Sequence, residues 1–380
     1  MTSKRRFTLS LALVAAGAVW FATSSGSARA PQAGVYLTPN GYRVPVYGMS
    51  VVRGADGRLE ISCGQATNGQ IESVRFGRSV SRAMSARSPR STVQADTVTA
   101  AKFEIIYTDS PGAGFNDPQQ GPARKRALEA AFAAWSKVLQ GTIPIVVQAR
   151  MEKGEDDDED LLAVGGPVEL VGLNDLAMPT SLASQILNEV VRREAADIEV
   201  VYNPDVDWDY AVSGAAVGEK SSFVYITLHE IAHGLGFIDS FVAETGELLN
   251  PIPFPYDTFV NRGMNSPNLV TKRSLEQIKG DLISKDLFFG GPKAVEASKK
   301  SIRPLPMIKL YAPDPYEPGS SVAHVDLDTY DDFLVGLMAP KVIVGTGADF
   351  VDTLTLAILE DMGYKLVPQP ATPTGRRDKP

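Results

Sequence analysis

Cysteine is the scarcest reactive residue in this chain. Cys63 stands alone in 380 residues, so no intramolecular disulfide can form and stability must come from a packed core. Histidine is almost as rare, with three copies: His229, His233 and His324. Excess positive charge is also missing. The 37 Lys and Arg against 45 Asp and Glu give a net charge of −8, which argues against a nucleic-acid partner. Beyond the first thirty residues no run is apolar enough to span a bilayer, so no stable membrane anchor is expected.

What remains is ordinary globular material, 44% hydrophobic and 22% charged. Its length suits one large domain or two smaller ones. The N-terminus reads as a signal peptide over residues 1–30. Lys4, Arg5 and Arg6 form the positive region, Phe7 to Ala22 the apolar one, and Ala28-Arg29-Ala30 a small-x-small cleavage site. Removing that leader, which has four basic residues and no acidic one, moves the net charge from −8 to −12. A secreted or periplasmic protein is therefore expected, soluble and monomeric.

Residues 31–100 read as a poorly structured N-terminal pro-segment or linker. Apolar residues are scattered there, and Arg75, Arg78, Arg82, Arg87 and Arg90 sit among serines. Order is expected from Phe103–Tyr107, a strand. Leu128, Phe132, Trp135 and Leu139 then recur at helical spacing within 123–140, and Gly141 stops that helix. A strand at 143–147 follows, with Pro144 at its start or on an edge. The acidic run Glu155–Asp160 reads as a solvated loop, residues 181–193 as a helix, and 197–202 as a half-exposed strand. The tail 367–380 is rich in proline and charge and is expected to be disordered.

The chemistry concentrates at His229-Glu230-Ile231-Ala232-His233. On a helix over 223–235, residues four apart share a face, so the two imidazoles project together and suit a metal ion. Glu230 sits beside that position and is placed to act as general base on a metal-activated water. Val224, Ile226, Leu228, Ile231 and Leu235 make the helix apolar, hence buried, and buried histidines need partners. A catalytic zinc wants a third protein ligand and an open position. Asp239 and His324 are the two candidates. Glu244 and Glu247 supply a further reading, a zinc peptidase with a downstream glutamate ligand, although no second ligand helix surrounds them.

The chain resembles the leishmanolysin family of metzincins, as a cysteine-poor relative. The resemblance covers roughly residues 100 to 365. It rests on the helix motif ending in Gly236-Phe237, a distant histidine after an insertion at 238–323, Leu337-Met338-Ala339-Pro340, and a closing helix at 354–364. It departs from the family in its single cysteine, in that insertion, and in its polar tail without a lipid-anchor signal. The resemblance implies an α+β fold over 101–366, with a twisted mixed sheet, an active-site helix and a Met-turn. It implies His324 as third ligand to Zn2+, Met338 as the Met-turn residue, and a secreted endopeptidase acting on protein or peptide substrates. A strand near 197–202 would pair with the substrate. An exported, non-catalytic binding or adhesion protein on the same scaffold is the alternative. The plain reading of Cys63 is a buried or idle thiol. The sharper one, drawn from metzincins whose pro-segment cysteine caps the zinc, is a latency thiol.

Overall fold

The computed structural model describes residues 35–54, 56–66, 99–153, 161–214, 216, 218–263, 268–330 and 336–368. The expected signal peptide, the arginine-rich stretch 75–91, the acidic run 155–160 and the tail beyond 368 lie outside the described residues.

The chain opens with strands, where a linker was expected. β1 (Val35–Leu37) and β2 (Arg43–Pro45) form a small antiparallel pair. β3 (Tyr47–Arg53) and β4 (Leu59–Gln65) form a hairpin built into the main sheet. Val44, Val46, Tyr47, Met49, Ile61 and Cys63 are all buried. The expectation of an unstructured segment is therefore corrected for residues 35–54 and 56–66. Strand-like pieces are visible in the sequence at 34–37 and 58–61, where β1 and β4 form, but their apolar stretches are only two or three residues long and did not announce a packed sheet.

The expected elements then follow. β5 (Phe103–Tyr107) leads to α1 (Gly121–Val138), which buries Leu128, Phe132 and Trp135 on one face. β6 (Ile145–Met151) and β7 (Leu161–Pro167) are fully buried strands. α2 (Thr180–Leu187) is shorter than expected, because Asn188 turns into the left-handed region at φ 53°. β8 (Ile198–Tyr202) precedes α3 (Phe223–Gly234), whose first turn is capped by the Ser222 side chain.

The insertion contributes β9 (Val260–Arg262), α4 (Leu275–Leu282), β10 (Leu287–Phe289), α5 (Pro292–Lys300) and β11 (Ile308–Leu310). Its three strands make an antiparallel sheet of their own. β12 (Lys341–Ile343) and α6 (Thr353–Met362) complete the unit.

The result is an α+β structure around a seven-stranded mixed sheet in the order β12-β4-β3-β7-β8-β6-β5. β5, β6 and β8 run parallel, while β7, β3, β4 and β12 alternate in direction. β8 is central, buried throughout and paired on both edges, which corrects both the half-exposed strand read at 197–202 and its expected pairing with a substrate. Its polar Glu199 is answered inside the sheet by Arg150 and by Gln148 Nε2 at 3.1 Å.

Every residue of α3 is buried. A helix that is apolar all round belongs in the centre of a core, and this one lies on β7 and β8 with α1 alongside. Two glycines set its seat. A Cβ on Gly234 would stand 2.4 Å from Ile198 Cγ2, and one on Gly165 would stand 2.7 Å from Glu230 Cβ. Among the described residues, no helix is long and apolar enough to cross a membrane.

Candidate metal centre

α3 projects His229 and His233 from one face, as their spacing requires. The chain then turns sharply at Gly236, whose φ of 106° suits glycine. The third histidine arrives from the far end of the insertion. Val322 sits in the left-handed region at φ 70°, costly for a β-branched residue. It is held there by its N–H on Tyr311 O (2.7 Å) and by the Tyr256 hydroxyl on its carbonyl (2.8 Å). That turn delivers His324 to the α3 face.

The three imidazoles are oriented alike. His229 Nδ1 bonds Leu337 O at 2.8 Å, His233 Nδ1 bonds Phe237 O at 2.7 Å, and His324 Nδ1 bonds Ser320 O at 3.0 Å. With Nδ1–H given to a carbonyl, each ring keeps its Nε2 lone pair free. The three Nε2 atoms converge: His229 lies 3.1 Å from His233 and 3.3 Å from His324.

Cys63 completes the set from β4. Its Sγ is 3.6 Å from His233 Nε2, and all four ligand atoms fall within 4.8 Å of one another. The site is closed from solvent, with each of the four residues 0% exposed. Burial pulls His229 down to about 4 and His233 and His324 well below the usual range, so all three are neutral, as ligation requires. Burial, then the nearby Glu230, push the Cys63 thiol up, so a thiolate here needs a cation beside it. These four residues can hold a metal ion.

Glu230 is the unusual member. It is fully buried and, among the described residues, neither carboxylate oxygen has a hydrogen-bond partner. Burial pushes it well above the usual carboxylate range, offset only in part by the Gly165 backbone. A buried carboxylate left unanswered is costly. A cation among the neighbouring imidazoles would relieve that cost.

Beneath the cluster, residues 336–339 form a turn closed by Ala339 N–H on Gly336 O. Met338 is fully buried there, and its carbonyl accepts from Val325 N–H at 2.9 Å, beside His324. Leu337 gives its carbonyl to His229 and its N–H to Asp352, the cap of α6. Pro340 O accepts from Cys63 N–H at 2.7 Å. One short turn thus braces three of the four candidate ligands.

The structure brings together His229, Glu230, His233, His324 and Cys63, with the Met338 carbonyl bonded to the N–H of Val325 next to His324. It does not bring in Asp239. That carboxylate accepts from the Tyr47 hydroxyl at 3.1 Å and from Phe241 N–H at 3.0 Å. Glu244 and Glu247 are exposed and stand outside the cluster. Two site residues carried no sequence signal: Tyr47, whose ring stacks on His233 at 4.4 Å, and Gly165. Comparison with protein-family models, curated proteins and solved structures finds no match for this chain.

Proposed function

We propose that the chain is a zinc-dependent endopeptidase of metzincin type, exported, and here in a closed form capped by Cys63. The observation that carries this reading is the unpartnered, buried Glu230 carboxylate beside three imidazoles whose Nε2 atoms converge. The donor set fits zinc in kind and spacing. Tetrahedral bonds of about 2.0–2.1 Å to nitrogen and 2.3 Å to sulfur put N···N edges near ~3.3 Å and N···S edges near ~3.5 Å. Three of the six separations, 3.1, 3.3 and 3.6 Å, match those edges, and all four atoms lie within 4.8 Å of one another.

Zinc, when bound, polarises the scissile carbonyl and acidifies the attacking water. His229, His233 and His324 would hold it, and the Leu337, Phe237 and Ser320 carbonyls fix their rings. Glu230 takes one proton from the attacking water and returns it to the leaving amine as the C–N bond breaks. Its burial favours the neutral acid, so the carboxylate form depends on the cation's field. Met338 and its turn keep the ligand cage rigid.

A catalytic zinc keeps one position open, and a fourth protein ligand closes it. In this form Cys63 takes that position, and β3 covers the edge of β7. Loss of the thiol should therefore raise hydrolysis. The test uses zinc-loaded full chain and a quenched peptide mixture. Cys63→Ala should increase the rate, and adding Glu230→Gln should keep the zinc while lowering the rate by at least about 100-fold. Hydrolysis that survives Glu230→Gln would remove Glu230 from the chemistry. The four-ligand set also suits a non-catalytic binding protein with a structural zinc. On that reading neither substitution yields or alters any hydrolysis.

A further inference from the structure

β3 runs antiparallel along β7, with Tyr47 opposite Gly165 and Gly48 opposite Val164. Gly165 is the residue that touches Glu230. A segment pairing with β7 at this register passes the catalytic carboxylate, as an extended peptide substrate would. β3 is therefore seated where a substrate backbone would lie, and its side chains occupy the substrate's pockets.

Tyr47 fills the most definite of these. It is 2% exposed. Its ring lies flat on the His233 imidazole, with centroids 4.4 Å apart and planes 15° apart. Its hydroxyl meets both polar groups of one residue. It donates to Asp239 Oδ2 at 3.1 Å and lies 3.4 Å from the Asp239 N–H, which points to it as acceptor. Asp239 is itself only 5% exposed, and its other oxygen is held by Phe241 N–H. Behind it, Asp257 is occupied by the Ser240 hydroxyl and N–H and by Phe254 N–H. Asp239 Oδ2 is therefore served by the hydroxyl that β3 supplies. A carboxyl oxygen and an N–H side by side answer a group that both donates and accepts. A phenol does both, an ammonium only donates, and a phenyl ring does neither.

We propose that the pocket walled by His233 and floored by Asp239 is a specificity subsite for a tyrosine side chain of the peptide substrate, and that Tyr47 occupies it in the closed form. The inference rests on the endopeptidase reading given above. A substrate carrying Phe at this position leaves the buried Asp239 carboxyl oxygen and the Asp239 N–H without the hydroxyl that answers both. Sites built to bind a hydroxyl reject the analogue lacking it far more strongly than apolar pockets reject a methylene.

The test is a proteome-derived peptide digest by the zinc-loaded full chain carrying Cys63→Ala. Whatever fraction of molecules is open cancels when two residues are compared at one position. Aligned cleavage sites should show Tyr preferred over Phe by about 10- to 100-fold at one fixed distance from the cut. Asp239→Asn should bring that ratio to within a few-fold of unity. Cleavage with no tyrosine preference, with a Lys or Arg preference, or with a Tyr preference untouched by Asp239→Asn would overturn the subsite and leave the peptidase reading intact. Should Asp239→Asn fail to fold, the Tyr/Phe ratio decides alone. Absence of any cleavage would instead sink the peptidase reading. The pocket is then judged by hydrogen exchange in the otherwise unchanged chain, where Tyr47→Phe should speed exchange of the β3–β7 ladder amides by about 10-fold or more. Unchanged exchange would overturn it.

Discussion

Gly165→Ala isolates how the sheet positions the Glu230 carboxylate, the proposed general base. The added methyl would stand 2.7 Å from Glu230 Cβ, 2.7 Å from Glu230 Oε2 and 2.9 Å from the Glu230 carbonyl oxygen. Carbon contacts are comfortable at about 3.5–4.0 Å, so the methyl arrives roughly 1 Å too close. Two of the three atoms belong to the helix backbone or its first side-chain carbon, which cannot swing aside. Either β7 withdraws from α3 or Glu230 leaves its rotamer. Overpacking of this kind costs about 1–3 kcal/mol, and the upper half is expected because fixed atoms are hit. For a chain of this size that is a fall in Tm of about 3–5 °C. A shift of about 1 Å at a catalytic group costs on the order of 100-fold in rate. Both follow from one variant by calorimetry of the zinc-loaded chain and by peptide hydrolysis in a Cys63→Ala background. Gly280→Ala is the control. It sits exposed in α4 with nothing within 4 Å of the added carbon, so it should be neutral or stabilise by up to about 1 kcal/mol. A Gly165→Ala chain with unchanged Tm and rate would refute the seat of β7 on Glu230.

His324→Ala should weaken zinc binding by more than about 100-fold, beyond the loss typical of an outer partner, while Asp239→Ala should leave it nearly unchanged; chelator competition reads both, and the reverse order would move the third ligand. Asp352→Ala removes the α6 cap and the bond to Leu337 N–H, so a loss of about 1–2 kcal/mol is expected in urea unfolding, together with weaker zinc binding. Loss of stability with zinc affinity intact would show that the turn does not brace His229. Burial and the neighbouring Asp257 hold Asp239 up to about 8, and burial holds Asp257 up to about 7. Both keep protons in the folded chain that the unfolded chain releases near 3.8. Their contribution to stability is thus full below about pH 4 and lost as pH rises through 7 to 8. Asp257→Asn should flatten the decline between pH 5 and 8; an unchanged slope would contradict this.

The metal helix was legible because it needs only local information. Residues four apart share a helix face wherever the helix lies, and an all-apolar helix must be buried. The strand at 103–107 and the helices over α1 and α6 were legible for the same reason: period and caps are local. His324 was a candidate because the chain has only three histidines, but its choice over Asp239 came from the family resemblance, not from any local pattern. What stayed hidden is what depends on packing across long separations. The hairpin β3–β4 must pass close over β7, where a Cβ on Gly48 would meet Leu161 Cδ1 at 3.1 Å and Ala163 O at 3.2 Å. Small residues suit that path, and they are the residues that make a sequence look like linker. β8 misled in the opposite sense. Its alternation suggested a wet face, but Glu199 is paired inside the sheet with Arg150. Cys63 carried no local pattern at all, since its partners stand 166 to 261 residues away in the chain. Tyr47 was hidden likewise, its partners His233 and Asp239 standing 186 and 192 residues away in the chain.

A zinc centre of one cysteine and three histidines is the central proposal, and zinc X-ray absorption on the full chain tests it most directly. One zinc per chain is predicted, with one sulfur at about 2.3 Å and three nitrogens at about 2.0–2.1 Å. In Cys63→Ala the sulfur should vanish, an oxygen should replace it, and the three nitrogens should remain. Substoichiometric zinc, a shell without sulfur in the unaltered chain, or fewer than three nitrogens would contradict the centre and the function built on it.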